Sequence, residues 1–212
     1  MSSGLINVFL LVPTFLFSLS FHEYAHAWMA VKRGDLTPKL SGRLSMHPLA
    51  HADILGTLIL PTLAIYTGAP FFGWAKPVPI DIRNLRYGRR DYALVAAAGP
   101  LANLLLAILI TGLLYLLVRI PNHGSIIKTV FTFSIAGIQV NLMLAFFNLV
   151  PLFPLDGFNI IHGFVPQKVA IWLTKMNRFS GIVLIGLLLI GGFRYLSIPV
   201  QIALNFLLSL AS

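Results

Sequence analysis

Glu23 is the only glutamate in the chain, and it lies between His22 and His26 in an apolar stretch from Leu5 to Val31. On a helix, residues four apart lie on the same face, about 6 Å apart along the axis. Both imidazoles can therefore bind one zinc ion, with Glu23 beside it as a general base. With six histidines in 212 residues, a lone glutamate would have histidine at both offsets by chance in fewer than about one case in a thousand. The alternative, two hydrogen-bonded histidines and an incidental carboxylate, is weaker, because a carboxylate at bilayer depth costs about 3 kcal/mol or more.

The composition excludes an ordinary soluble domain. Hydrophobic residues make up 58% of the chain and charged residues 10%, with a mean hydropathy of +0.88, which predicts an integral protein of the cell membrane. Because cysteine is absent, a zinc site must use histidine and carboxylate ligands. The net charge of +9 comes from basic residues that flank apolar segments, so it indicates membrane topology and not nucleic-acid binding. No Lys or Arg precedes Lys32, so we expect the first segment to stay as a spanning helix and not to act as a signal peptide.

Five apolar runs follow one another, at residues 5–31, 54–72, 92–118, 126–153 and 180–211. They predict an all-α polytopic membrane protein with five to six membrane segments in a single domain, residues 1–212. The last run can form a hairpin of two short spans around Arg194, or one span and an interfacial tail. Alternation of apolar and polar residues from Leu40 to Met46 predicts a short membrane-associated β-strand.

The run at residues 54–72 decides the topology, because it can cross the bilayer or re-enter and return. If it returns, segments 32–90 and 154–179 share one side and carry twelve of the fifteen Lys and Arg residues. If it crosses, the two sides carry seven and eight. The positive-inside rule favours the re-entrant segment, with the N-terminus outside and the basic loops and active-site helix ends toward the cytoplasm.

A catalytic zinc site needs a third protein ligand. Three carboxylates lie among basic residues and are expected to be solvated loop or helix-start charges: Asp35, Asp81 and Asp91. Asp156 differs because it closes an apolar helix that Pro151 and Pro154 unwind, and Gly157 permits a tight turn there. In the re-entrant topology the helix with His22 and the helix before Asp156 both run inward, so these ligands can meet near the cytoplasmic half of the membrane.

Three motifs together resemble the site-2 protease family of intramembrane zinc metalloproteases, and the resemblance covers nearly the whole chain. They are His22-Glu23-x-x-His26, Ala98-Gly99-Pro100-Leu101-Ala102-Asn103, and Asn148-x-x-Pro151-x-x-Pro154-Leu155-Asp156-Gly157. Asn103 and the stretch Gly73-Trp74-Ala75-Lys76-Pro77-Val78-Pro79 also resemble the compact members of this family. The resemblance implies one zinc ion per chain, bound by His22, His26 and Asp156, with Glu23 as general base. It also implies that Asn148 helps to hold the substrate or the oxyanion, with Asn103 as a further candidate. The chain is similar to the compact bacterial and archaeal members that lack a PDZ domain.

The activity implied is hydrolysis of peptide bonds within or near transmembrane segments of membrane proteins. A helical substrate must unwind first, and the edge from Leu40 to Met46 can hold the extended form by β-addition. A second pair of histidines, His47 and His51, has the same spacing but is interrupted by Pro48. His51 or Asp53 then either borders the active site or has a structural role in the loop.

Two other functions fit some of these residues. Histidine and aspartate within membrane segments also describe a zinc transporter or a metal sensor. A catalytically silent relative could act as a chaperone or adaptor. Glu23 favours the enzyme, because a base beside a metal with one open position is what hydrolysis requires.

Overall fold

The computed structural model describes residues 3–67, 73–119 and 124–211, and within these ranges it is helical with no strand. The α-helices are α1 (Ser3–Arg33), α2 (Thr37–Leu40), α3 (Pro48–His51), α4 (Leu60–Thr67), α5 (Arg89–Val118), α6 (Ser125–Asn148), α7 (Asp156–Phe164), α8 (Gln167–Leu189) and α9 (Ser197–Ala211). A π-helical turn at Ile54–Ile59 leads into α4, and 3₁₀ turns lie at Ile82–Asn84 and Gly192–Leu196. The predicted all-α class is confirmed.

Among the residues that the structure describes, three helices are long and apolar enough to cross a membrane: Val8–Arg33, Arg89–Val118 and Thr129–Asn148. Helices satisfy their own backbone hydrogen bonds, which a bilayer requires. α5 is central and packs against α1, α6, α7 and α9. One buried apolar cluster joins α5, α6 and α9 and includes Leu114, Ile138, Leu142 and Val200.

α1 ends in a Schellman motif that turns the chain back toward the bundle. Gly34 has φ +111°, its N–H donates to Val31 O at 3.1 Å, and the N–H of Asp35 donates to Ala30 O at 3.0 Å. The chain after α1 therefore returns along the end of the bundle where α5 begins.

The second apolar run leaves and rejoins the bundle at one end. Its helical part is the π-helical turn and α4, and residues 68–72 lie outside the described ranges. The N–H of Trp74 donates to Gly56 O at 3.1 Å, and the N–H of Lys76 donates to His51 O at 2.9 Å. The segments before and after this run are therefore neighbours, as a re-entrant segment requires; its orientation in a bilayer stays a prediction.

The strand expected from Leu40 to Met46 is not present in the structure. Leu40 ends α2, Gly42 lies in a turn with φ +69°, and the N–H of Arg43 donates to Pro38 O at 2.8 Å. These hydrogen bonds are local, and no neighbouring segment forms a ladder with residues 43–47. A seven-residue alternation is too short to distinguish a strand from a turn.

Asp35 and Asp91 are buried, so the expected solvation was wrong for both, although Asp91 does lie in the first turn of α5, as a helix-start charge. Asp35 accepts hydrogen bonds from the N–H and hydroxyl of Thr37, the N–H of Asp81 and the amide of Asn84. Burial alone would raise the pKa of Asp35, but these donors favour the carboxylate and hold its pKa below the ordinary value. Asp91 pairs with Arg33 at 3.6 Å. Both carboxylates therefore tie the end of α1 to the segment that enters α5.

The last apolar run is broken around Arg194, and whether it forms a hairpin of two short spans or one span and an interfacial tail stays a prediction. α8 ends at Leu189, Gly191 has φ +69°, and the 3₁₀ turn that contains Arg194 leads into α9. α9 packs on α5 and α6, whereas α8 contacts α7 and this turn.

Candidate metal centre and active site

Three potential metal ligands meet between α1 and the first residue of α7. Nε2 of His22 lies 3.0 Å from Nε2 of His26. Asp156 Oδ2 lies 3.2 Å from His22 Nε2 and 3.4 Å from His26 Nε2. Both histidines are buried. The structure thus brings together the three residues that the sequence nominated, although Asp156 is far from the histidines along the chain.

The other ring nitrogen of each histidine has a buried partner. His26 Nδ1 lies 2.7 Å from Val95 O, a carbonyl that can only accept, so Nδ1 carries the hydrogen. His22 Nδ1 lies 2.6 Å from Asn103 Oδ1. With hydrogen on both Nδ1 atoms, each Nε2 presents a lone pair toward the other and toward Asp156.

This donor set fits a zinc ion. Two imidazole lone pairs and a carboxylate oxygen converge, and Asp156 Oδ2 is buried without a hydrogen-bond donor. Three acceptors this close repel one another unless a cation lies among them. Two histidines and one carboxylate are also a known ligand set of catalytic zinc sites, in which a fourth position stays open.

Gly99 lets the backbone of α5 reach the metal ligands. A Cβ at this position would lie 2.6 Å from His22 Nε2 and would approach His26 Nε2 still more closely. Any side chain would therefore enter the space between the imidazoles. This contact gives a physical reason for glycine in Ala98-Gly99-Pro100.

Gly157 brings Asp156 to the histidines by close packing and not by the tight turn that was expected. It is the second residue of α7, and a Cβ there would lie 2.6 Å from Val150 O and closer to Leu149 O. α6 ends at Asn148, so the turns over residues 149–155 fold α7 back against the end of α6. Asp156 then begins α7 beside α1.

Beside the three ligands is a cavity of about 190 Å³. Glu23 lines it, and Glu23 Oε2 accepts a hydrogen bond from the N–H of Val78 at 3.2 Å. Tyr92, Asn148 and Asn159 add further polar groups to its wall. A carboxylate, hydrogen-bond donors and a metal site therefore face one small space.

A segment without helix or strand, residues 73–81, lies over this cavity, and we name it the strap. Its backbone N–H groups are fixed at four points: Trp74 to Gly56 O, Lys76 to His51 O, Val78 to Glu23 Oε2, and Asp81 to Asp35 Oδ2. Pro77, Val78 and Ile80 line the cavity. The strap thus joins the buried Asp35 to Glu23.

The remaining nominated residues lie in three different surroundings. Asn148 lines the cavity and donates from Nδ2 to Leu144 O at 2.9 Å. Asn103 is fully buried behind His22 and is not among the residues that line the cavity. His51 is buried outside the cavity and lies 2.7 Å from Ser45 O through Nε2, and Asp53 caps the π-helical turn by accepting from Gly56 N at 2.8 Å.

Two polar residues that line the cavity, Asn159 and Tyr92, were missed from the sequence. Asn159 follows Asp156 by three positions and shares its helix face, so helical spacing could have found it. Tyr92 lies in the first turn of α5 next to a basic run, where no local pattern distinguishes it.

Three named relatives match most of the chain. It is 40% identical over 179 residues to "Putative zinc metalloprotease YwhC" of Bacillus subtilis, covering 82% of this chain and 77% of that protein. It is 29% identical over 188 residues to "Putative zinc metalloprotease Rip2" of Mycolicibacterium smegmatis, covering 87% and 68%. It is 28% identical over 180 residues to the protein of the same name in Mycobacterium tuberculosis, covering 85% and 66%. No family model and no solved structure matches the chain.

Proposed function

We propose that this chain, which belongs to the zinc metalloprotease family of YwhC, cleaves peptide bonds within or near the transmembrane segments of other proteins. It is a metalloendopeptidase with a zinc cofactor, and within that class we assign it to the site-2 protease type. One observation carries the proposal: His22, Glu23 and His26 belong to a helix long and apolar enough to cross a bilayer. Catalytic groups on such a helix meet a substrate at membrane depth.

His22, His26 and Asp156 would hold the zinc ion. When bound, zinc polarises the scissile carbonyl and makes a water molecule acidic enough to act as a nucleophile near neutral pH. Because each imidazole is anchored through Nδ1, the ligand atoms are directed before a metal or substrate arrives.

Glu23 would take the proton from the attacking water and pass it to the leaving amine. The N–H of Val78 holds Oε2, so Oε1 is the oxygen that can accept the proton. Among the described residues, no other hydrogen bond to this carboxylate is seen. The strap therefore fixes the orientation of the base without neutralising it.

Asn148 would bind the unwound substrate backbone. Its Nδ2 uses one hydrogen on Leu144 O, which leaves its Oδ1 and a second N–H hydrogen for a substrate peptide group. Tyr92 and Asn159 line the same cavity, and their polar groups can stabilise negative charge on the scissile oxygen.

The membrane orientation follows from charge. With the second apolar run re-entrant, twelve of fifteen Lys and Arg residues lie on one side, and we assign that side to the cytoplasm. The first turn of α5 and the end of α1 meet there through Arg33 and Asp91. The metal site then opens toward the cytoplasmic half of the bilayer.

Glu23→Gln tests the proposed function, because glutamine keeps the size of the side chain and loses the base. Membranes of cells that make this variant should accumulate uncleaved single-span proteins that are cleaved in wild-type cells, as measured by quantitative proteomics. The purified variant should keep its zinc and its unfolding temperature. Undiminished cleavage of a model transmembrane substrate by Glu23→Gln would remove the mechanism, and zinc flux into sealed vesicles would favour a transporter instead.

A further inference from the structure

A hydrogen-bonded network of buried polar side chains leads from His22 away from the cavity and joins three helices. Asn103 in α5 and Asn141 in α6 are 0% and 1% exposed. Asn103 Nδ2 donates to Asn141 Oδ1 at 2.8 Å, and Asn141 Nδ2 donates to Ser18 Oγ in α1 at 2.9 Å. Polar groups at membrane depth have no water as an alternative partner, so these contacts are strongly constrained.

In this network, each hydrogen bond has a defined donor and a defined acceptor. Asn103 Nδ2 meets two acceptors, Ser18 O at 3.1 Å and Asn141 Oδ1 at 2.8 Å. The amino group of Asn103 is thereby held on that side, so its Oδ1 faces His22 Nδ1 at 2.6 Å. Asn141 is oriented in turn because its Nδ2 donates to Gly137 O at 2.8 Å. A backbone carbonyl can only accept a hydrogen bond. Gly137 O therefore fixes which group donates and which accepts in each hydrogen bond of this network.

We propose that Asn141 is a positioning residue for the metal centre, acting on His22 through Asn103. It keeps the Asn103 oxygen toward His22, which places the hydrogen of that imidazole on Nδ1 and the lone pair of Nε2 at the metal. Without Asn141, one of the two acceptors for the amino group is lost and the Asn103 amide can turn. If the Asn103 amino group faces His22, the hydrogen of that imidazole lies on Nε2 instead of Nδ1. A protonated Nε2 has no lone pair with which to bind a metal. This inference rests on the proposed metal site.

Zinc affinity of the purified full-length protein tests the proposal, measured by competition with a fluorescent chelator in lipid nanodiscs. Asn141→Leu should lower the affinity about 10-fold and Asn103→Leu about 100-fold, the range seen when a residue that orients a metal ligand is lost. Asn141→Ala serves as a second variant in case leucine prevents folding. Asn141→Asp keeps an oxygen for Asn103 and, when protonated, one donor, so it should bind zinc within about threefold of wild type.

The matched control is Ser134→Ala. Ser134 is a buried residue of α6 whose hydroxyl donates to Val130 O at 2.9 Å, and it lies two helical turns before Asn141. Loss of this hydrogen bond should leave zinc affinity unchanged. A reduction equal to that of Asn141→Leu would show that any polar loss in α6 loosens the site.

A double-mutant cycle separates positioning from general packing. If Asn141 acts through Asn103, adding Asn141→Leu to Asn103→Leu should change zinc affinity no further. Reductions that multiply, an Asn141→Asp variant as weak as Asn141→Leu, or folded Asn141→Leu and Asn141→Ala variants that bind zinc within about twofold of wild type would each overturn the proposal. Equal zinc binding by wild type and His22→Ala would instead overturn the metal site itself, and the positioning role with it.

Discussion

Replacing Gly99 by alanine inserts one methyl group between α5 and the metal ligands. The new Cβ would lie 2.6 Å from His22 Nε2, and ordinary contact begins at 3.4 Å. His22 Nε2 must therefore move away by the difference between these two distances, and His26 Nε2 must move farther. Ligand distances in a metal site tolerate only about 0.2 Å. We expect zinc affinity to fall by about 10- to 100-fold or more, with cleavage reduced in parallel.

The matched control is Gly112→Ala in the same helix. A Cβ at Gly112 meets no atom within 4 Å, so this variant should bind zinc as wild type does. Alanine is favoured over glycine in a helix by about 1 kcal/mol, so Gly112→Ala should also unfold at the same or a slightly higher temperature.

Chelator competition gives the zinc affinity of both variants, and thermal unfolding in nanodiscs shows whether each is folded. A Gly99→Ala variant that is folded and binds zinc as tightly as wild type would refute the close contact between Gly99 and the two imidazoles, because α5 could not then lie against them. Equal loss in Gly112→Ala would point to a general effect on α5.

Three further predictions follow from the structure. Asp156→Asn should weaken zinc binding by at least about tenfold, because asparagine lacks the charge that offsets the metal. The control Asp81→Asn should bind zinc normally, because Asp81 pairs with the exposed Arg83; metal analysis of both variants decides. Asp35→Asn should lower the free energy of unfolding by about 1–3 kcal/mol, because it disrupts four hydrogen bonds to a buried carboxylate. The pKa of Asp35 is lowered in the folded state, so its contribution to the free energy of unfolding is full at neutral pH. That contribution is lost as the pH falls below about 4, toward and through the folded pKa. The free energy of unfolding of wild type and Asp35→Asn would be measured against pH, and parallel curves for the two proteins would contradict this prediction. Single cysteines at Tyr87, just before α5, and Gly124, just before α6, should label with an impermeant reagent from the cytoplasm and from outside respectively. Labelling of both from one side only would refute the assigned topology.

The sequence nominated three residues that the structure brings together as a candidate metal site, because their signals are local or topological. His22 and His26 share a helix face by spacing alone. Asp156 required the additional inference that two helices run in the same direction. Asn148 follows from the family motif, and the structure has its side chain in the cavity wall.

Other parts of the site depend on contacts between distant segments, which no local pattern reports. Asp35 and Asp91 have basic neighbours in sequence but are buried where α1 meets α5 and the strap. Asn103 was expected near the substrate, yet it lies behind His22. Burial and hydrogen-bond partners of these residues are set by packing between helices, so the sequence identified them as polar residues without indicating which way they face.

The position of the cut tests the central claim most directly. Purified protein and a single-span substrate would be reconstituted in liposomes, and the product masses would locate the hydrolysed bond. We predict a cut inside the apolar segment or at its cytoplasmic boundary, by wild type with zinc and not by Glu23→Gln. Cuts confined to the substrate's soluble regions, well away from the membrane, would contradict an intramembrane protease.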